Sequence, residues 1–200
     1  ALAGYDSVGI SDLGYVEYLS EYEPIGETGP LGHEDGLTPP RYVTDRGIAV
    51  RRDREEDRLV LHYSQPHTPY VTNAIEEDRE LFEYEARPLQ YLRGGGDYDL
   101  IWELYLNELR KVLDEVELLL ENMDAETIAI TADHGEGFGE YGIYGHQIGS
   151  LHPYIRKVPW VETTASDTGT YIPSVDPPDS SREETDQSTE ELLEAMGYKF

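Results

Sequence analysis

The chain contains no cysteine, so it can form no disulfide, no thiolate metal site and no cysteine nucleophile. Basic residues are also scarce: 15 lysines and arginines stand against 42 acids, a formal net charge of -27. A field of that sign repels polyanions, which excludes nucleic acid and anionic membrane surfaces as expected partners. It repels itself as well, and concentrated salt is the simplest environment that screens such repulsion. A halophilic cytoplasm is therefore the expected setting, with an acidic secreted protein as the competing reading. Long apolar runs are missing too. Nothing approaches the roughly 18 consecutive apolar residues of a membrane helix. The opening "ALAGYDSVGI" has no basic segment followed by an apolar stretch. The expectation is a soluble, cytoplasmic chain. No internal repeat is visible, and the first residue is alanine rather than methionine, which fits a processed chain or a piece of a longer one.

What is present suffices for one domain: 200 residues, of which 38% are hydrophobic. Residues 1–46, rich in Gly, Pro and Tyr, read as loops with room for one short helix. The apolar run "RLVLHYS" at 58–64, entered from the charged "RRDREED", reads as a buried strand. It ends in "QPHTPY", where Pro66 and Pro69 stiffen the chain. Residues 72–92 read as a helix opened by Thr72 or Asn73 and bent or ended at Pro88. Asp97 is placed to cap the longest helix, in which Ile101, Leu104, Tyr105, Leu109, Val112, Leu113, Val116, Leu119 and Leu120 recur at helical spacing. "TIAITA" at 127–132 is uncharged, as expected of a central parallel strand covered on both faces. "VPWVETT" at 158–164 reads as a further strand. Together these predict an α/β fold with a mostly parallel sheet covered by helices. Residues 1–164 form that α/β portion, and 165–188, made largely of Ser, Thr, Asp and Pro, reads as a flexible or surface-wrapping segment. Residues 189–200, "TEELLEAMGYKF", read as a short capped C-terminal helix stopped by Gly197.

The chemistry concentrates in "TADHGEGFGEYGIYGHQ" at 131–147. Asp133 and His134 follow the end of a strand, where open α/β sheets place their ligands. A carboxylate beside an imidazole suits Mn²⁺, Zn²⁺ or Mg²⁺, and a carboxylate-dominated set also suits Ca²⁺. Gly135, Gly137 and Gly139 permit the positive φ and close backbone approach of a loop folded over an ion or phosphate. Glu136 is placed to orient a ligand through a hydrogen bond. His146 can close on the same site, either as a metal ligand or as a donor to a substrate oxyanion. His67 sits on the proline-braced loop, and two neighbouring parallel strands would bring it into one crevice with Asp133. His62 reads as a buried strand histidine, His33 and His152 lie in less organised contexts, and Arg156 and Lys157 pair with surface acids. The competing reading of the whole loop is an acidic, glycine-rich turn with no ligand.

Taken in series, "HYSQPHTPY", "YDLIWELYLNELRKVLDEVELL", "TIAITADHGEGFGEYGIYGH" and "LHPYIRKVPW" resemble the carboxyl-terminal half of the sulfatase family, within the alkaline phosphatase superfamily. "TEELLEAMGYKF" is similar to the short helix that ends many microbial members. The resemblance covers residues 40–164 most clearly. It implies a partial alkaline phosphatase/sulfatase-like sandwich, a divalent metal cofactor (Ca, Mn, Mg or Zn), and hydrolysis of sulfate or phosphate esters of a small molecule or glycan. Residue by residue, it implies Asp133 and His134 as metal ligands. His67 becomes a substrate-oxyanion contact and His146 a substrate contact or second-metal ligand, which makes those two the catalytic candidates. The departures are as specific. No C/S-x-P-x-R nucleophile motif occurs, residues 1–46 match none of the family's early acidic metal ligands, and "HPY" at 152–154 stands where "YEE" is common. The chain therefore reads as an incomplete C-terminal portion of a metal-dependent hydrolase, completed by a missing N-terminal portion or by self-association. The alternative is a truncated, non-catalytic homologue acting as a binding or structural protein.

Overall fold

A computed structural model describes residues 37–53, 58–147 and 149–174, together with the backbone of two short antiparallel strands, β1 (Ile25–Gly26) and β2 (Gly29–Pro30). His33 and the helix expected at 189–200 lie outside the described residues. The first described helix, α1 (Pro40–Asp53), opens on a proline, whose fixed φ and missing N–H suit a first helical position. It buries Val43, Ile48, Ala49 and Val50, and ends on Arg51 and Arg52, the charge a helix C-terminus favours.

Residues 72–93 form three short helices instead of the one expected: α2 (Thr72–Glu76), α3 (Glu83–Ala86) and α4 (Pro88–Arg93). Asp78 takes φ 49° after α2, and Pro88 opens α4 rather than bending a longer helix. The Glu85 carboxylate locks the turn between them. It accepts from the Phe82 amide at 2.8 Å and from both terminal nitrogens of Arg79 at 2.6 and 2.7 Å. Then comes α5 (Tyr98–Glu121), capped as expected by Asp97, which accepts from the amides of Asp99 and Leu100.

The buried stripe of α5 is Ile101, Leu104, Glu108, Val112, Glu115 and Leu119. The period is the expected one, but two glutamates occupy the stripe and Leu113 is 47% exposed. Each glutamate is buried because it has a partner waiting. Glu108 accepts the Thr72 amide at the start of α2 at 2.6 Å. Glu115 receives the guanidinium fork of Arg41 from α1 at 2.5 and 2.9 Å. Two apolar clusters flank these pairs. One joins Tyr70, Leu92, Ile101, Leu104 and Phe138; the other joins Ile48, Leu119, Met123 and Ala165.

The expected mostly parallel sheet is not what forms. Beside the β1–β2 pair, the described sheet consists of β3 (Ala125–Thr131) and β4 (Trp160–Ala165), paired antiparallel in an otherwise mostly helical fold. The register sets Ile128 opposite Thr163 and Ile130 opposite Val161, with an irregularity between Ala125 and Ile128. Two sequence signals misled. Residues 58–64 join no ladder among the described residues; Leu59 and Leu61 lie against the second cluster instead, and Val60 is exposed. The uncharged stretch at 127–132 pointed to two covered faces, yet Thr127, Ala129 and Thr131 are exposed, and β3 also includes Glu126. Trp160 and Val161 on β4 are 65% and 52% exposed.

After β4 the chain returns over α5. The amides of Ser166 and Thr168 reach the carbonyls of Leu120 and Glu121 at 3.1 and 2.9 Å, satisfying acceptors that a helix end leaves free. Farther on, Tyr171 and Ser174 bond the fully buried Asp45 of α1. No helix among the described residues is long and apolar enough to cross a membrane.

Candidate functional site

The glycine-rich loop after β3 folds into a hairpin. Phe138 and Tyr144 form an antiparallel bridge, flanked by Gly139 N–H to Ile143 O at 2.7 Å and Gly145 N–H to Gly137 O at 2.8 Å. Its tip is a single 3-10 turn, Glu140–Gly142. Side chains two residues apart along an extended strand share a face. The pair beyond Phe138 and Tyr144 is therefore Glu136 and His146, and those two meet: His146 Nδ1 is 3.0 Å from Glu136 Oε2. The base of the loop is fixed by Gly135, whose N–H donates to Ile155 O of α6 (Pro153–Arg156) at 2.9 Å. A Cβ at Gly135 would lie 1.9 Å from Tyr154 O, so glycine is required there.

On this base the sequence-derived residues gather. The His134 and His146 rings stack with centroids 4.0 Å apart, and His67 meets His146 edge-on at 5.4 Å. Asp133 lies beside His134, with Oδ2 3.6 Å from Nε2 and Oδ1 accepting the His134 amide at 2.9 Å. Among the described residues no parallel neighbours bring His67 to Asp133; the loop containing Pro66 and Pro69 carries His67 to the cluster without them. His62 is exposed, and His152 is the N-cap of α6, accepting from the Tyr154 amide.

The three imidazoles share one hydrogen-bond pattern. His67 Nδ1 lies 2.7 Å from Thr68 O, His134 Nδ1 lies 3.0 Å from Gly135 O, and His146 Nδ1 faces the Glu136 carboxylate. A carbonyl or carboxylate oxygen only accepts, so these bonds place the proton on each Nδ1. In the neutral ring, each Nε2 is then left with its lone pair.

Some buried polar atoms of the described residues lack a partner. Glu136 Oε1, Tyr70 OH and Gln65 Oε1 are buried and make no hydrogen bond in the structure. Burial holds the Tyr70 phenol far above its ordinary value, with the Glu136 carboxylate adding to the shift. The sequence did not reveal Tyr70, although Phe138, a large apolar residue among glycines, was a legible sign that the hairpin packs inward.

Two ligand atoms bonded to one ion at about 2.1 Å stand 3.6 Å apart when the angle between them is roughly 120°. The separation of Asp133 Oδ2 and His134 Nε2 therefore fits one edge of a coordination shell. Among the described residues no group of three or more His, Asp or Glu side chains is arranged to hold a metal ion, so this edge is not completed there. Compared with family models, with curated protein sequences and with solved structures, the chain matches none of them.

Proposed function

We propose that the chain is part of a metal-dependent hydrolase of sulfate or phosphate esters, working in a salt-rich cytoplasm, with Asp133 and His134 contributing to the metal shell. The observation that carries this reading is the facing of a carboxylate oxygen and an imidazole lone pair. With the proton on Nδ1, His134 Nε2 and Asp133 Oδ2 set two electron-rich atoms 3.6 Å apart. That pairing is favourable only with a positive charge between them or on the ring. The resemblance to sulfatases supports the same assignment.

A bound divalent ion supplies Lewis-acid polarisation of an ester oxygen. The chain's own part is positional. Asp133 Oδ2 and His134 Nε2 lie 3.6 Å apart, Glu136 holds the His146 ring, and His67 and His146 each present an Nε2 that, once protonated, would donate to an oxygen of a sulfate or phosphate group. No nucleophile of the family's pattern lies in the chain, so the remaining ligands and the nucleophile are assigned to another portion or another copy. The second reading, a non-catalytic binding protein, is favoured by the incomplete metal shell among the described residues.

The test is calorimetric titration of Mn²⁺ and Ca²⁺ into chelator-treated protein in molar KCl, where surface carboxylates are screened. Saturable binding near one equivalent, weakened tenfold or more by Asp133→Asn, supports the reading. Weak, non-stoichiometric heat that the substitution leaves unchanged removes it.

A further inference from the structure

We propose that the cleft between the 137–145 hairpin and the α4–α5 junction binds a methylated ammonium group. The cleft encloses about 390 Å³, and its walls include Leu92, Gly96, Tyr98, Phe138, Glu140 and Tyr144. Three aromatic rings and one carboxylate line it, and no cationic side chain does. Aromatic faces carry negative potential, and a cation lying over them gains attraction that a neutral ligand of the same shape lacks. A sugar ring needs donors and acceptors for several hydroxyls; Glu140 is the one charged residue in this lining.

Glu140 is held ready. Its Oε2 accepts the Phe138 amide at 2.7 Å, and the carboxylate forms no ion pair with a described residue. The Tyr98 phenol is raised above its ordinary value by burial first and by the nearby Glu140 and Asp99 charges second, which sets Tyr98 within the electrostatic reach of Glu140. Gly139 keeps its side of the cleft open: at φ 113° it favours glycine, and a Cβ there would come 3.1 Å from the Tyr144 ring. Arg93, outside the lining, already sits 5.4 Å from the centroid of Tyr144. Phe138 is buried, with Trp102 and Tyr105 meeting its ring at 5.4 and 4.9 Å, so Tyr98 and Glu140 are the groups left for a ligand. The net charge of -27 adds a general attraction for cations at low ionic strength.

The cleft also has a neighbour. Phe138 and Tyr144 share a hairpin face with Glu136 and His146, two residues along, a distance of about 7 Å at ~3.3 Å per residue. A small zwitterion with its ester group at His146 and its ammonium group at the Phe138–Tyr144 end of the cleft spans that distance. This link to an ester rests on the proposed function; the cation site does not.

Trp102 is the reporter, because its ring stacks on Tyr98 with centroids 6.2 Å apart and meets Phe138 edge-on at 5.4 Å. The chain has two tryptophans, so Trp160→Phe isolates its signal. Tetramethylammonium chloride is titrated into that variant in molar KCl, with tert-butanol as the neutral control. The expected result is a saturable change in Trp102 emission. Adding Glu140→Gln, whose amide oxygen still accepts from Phe138, should weaken it roughly tenfold. No saturable change, an equal midpoint with Glu140→Gln, or equal binding of tert-butanol overturns the proposal. If tetramethylammonium binds and Mn²⁺ finds no site, the cleft stands and the ester reading falls. If Mn²⁺ binds and tetramethylammonium does not, the reverse holds.

Discussion

Buried carboxylates set much of the behaviour expected at the scale of single residues. Asp45 is fully buried and accepts from Tyr171 OH at 2.7 Å, from the Ser174 amide at 2.9 Å and from the Ser174 hydroxyl. Asp45→Ala leaves those donors unpaired and should cost about 3 kcal/mol in urea unfolding measured in molar KCl. A loss below about 1 kcal/mol would show that the 166–174 segment is not anchored there. Glu108 contributes a pH dependence of its own. Burial raises its carboxyl pKa above the ordinary 4.5, against the lowering effect of bonds to Thr72 and Val71. A raised folded pKa means stability that is full below 4.5 and lost as pH rises through the folded value. Glu108→Gln keeps an acceptor for the Thr72 amide and removes the buried charge. It should be at least as stable as the parent at neutral pH, with the difference shrinking on acidification through that window. A variant less stable at neutral pH, with an unchanged pH profile, contradicts this account of Glu108.

Elements explain what the sequence could and could not reveal. Asp97 and the long α5 were legible because a cap and a 3.6-residue period are local signals. The membership of the stripe was not, because Glu108 and Glu115 are buried by partners 36 and 74 residues away. The sheet was misread for the same kind of reason. An uncharged stretch such as 127–132 fits two covered faces, but cover and pairing direction belong to neighbours, and the described neighbour is the antiparallel β4. The proximity of four candidate side chains is a separate matter from the sheet. His67, Asp133, His134 and His146 gather without any parallel strands among the described residues, since the gathering is done by a proline-braced loop and a glycine hairpin. Gly135 is the hinge of that arrangement. Gly135→Ala forces the loop away from Tyr154 O and should cost about 1–3 kcal/mol in thermal unfolding. The His134–His146 stacking should be lost with it, read as a change in their ring proton shifts. A variant with unchanged stability and shifts contradicts the role given to this contact.

At the scale of the whole molecule, charge dominates. With 42 acids against 15 bases, self-repulsion opposes the compact state until counterions screen it over a Debye length of about 10 Å at 0.1 M salt and 3 Å at 1 M. The unfolding midpoint should therefore rise steadily between 0.1 M and molar KCl. A flat or falling midpoint would mean that local pairs such as Arg41–Glu115 and Arg52–Asp167 already neutralise the charges that matter.

The central claim is the proposal that Asp133 and His134 contribute to a divalent-metal shell, with the His146 and His67 rings packed beside it. It is tested most directly by adding less than one equivalent of Mn²⁺ in molar KCl and following the ring-proton resonances of the six histidines. The account predicts that His134, His146 and His67 broaden together and first, and that Asp133→Asn abolishes the effect. Broadening spread evenly over all the histidines, or unchanged by Asp133→Asn, would contradict it.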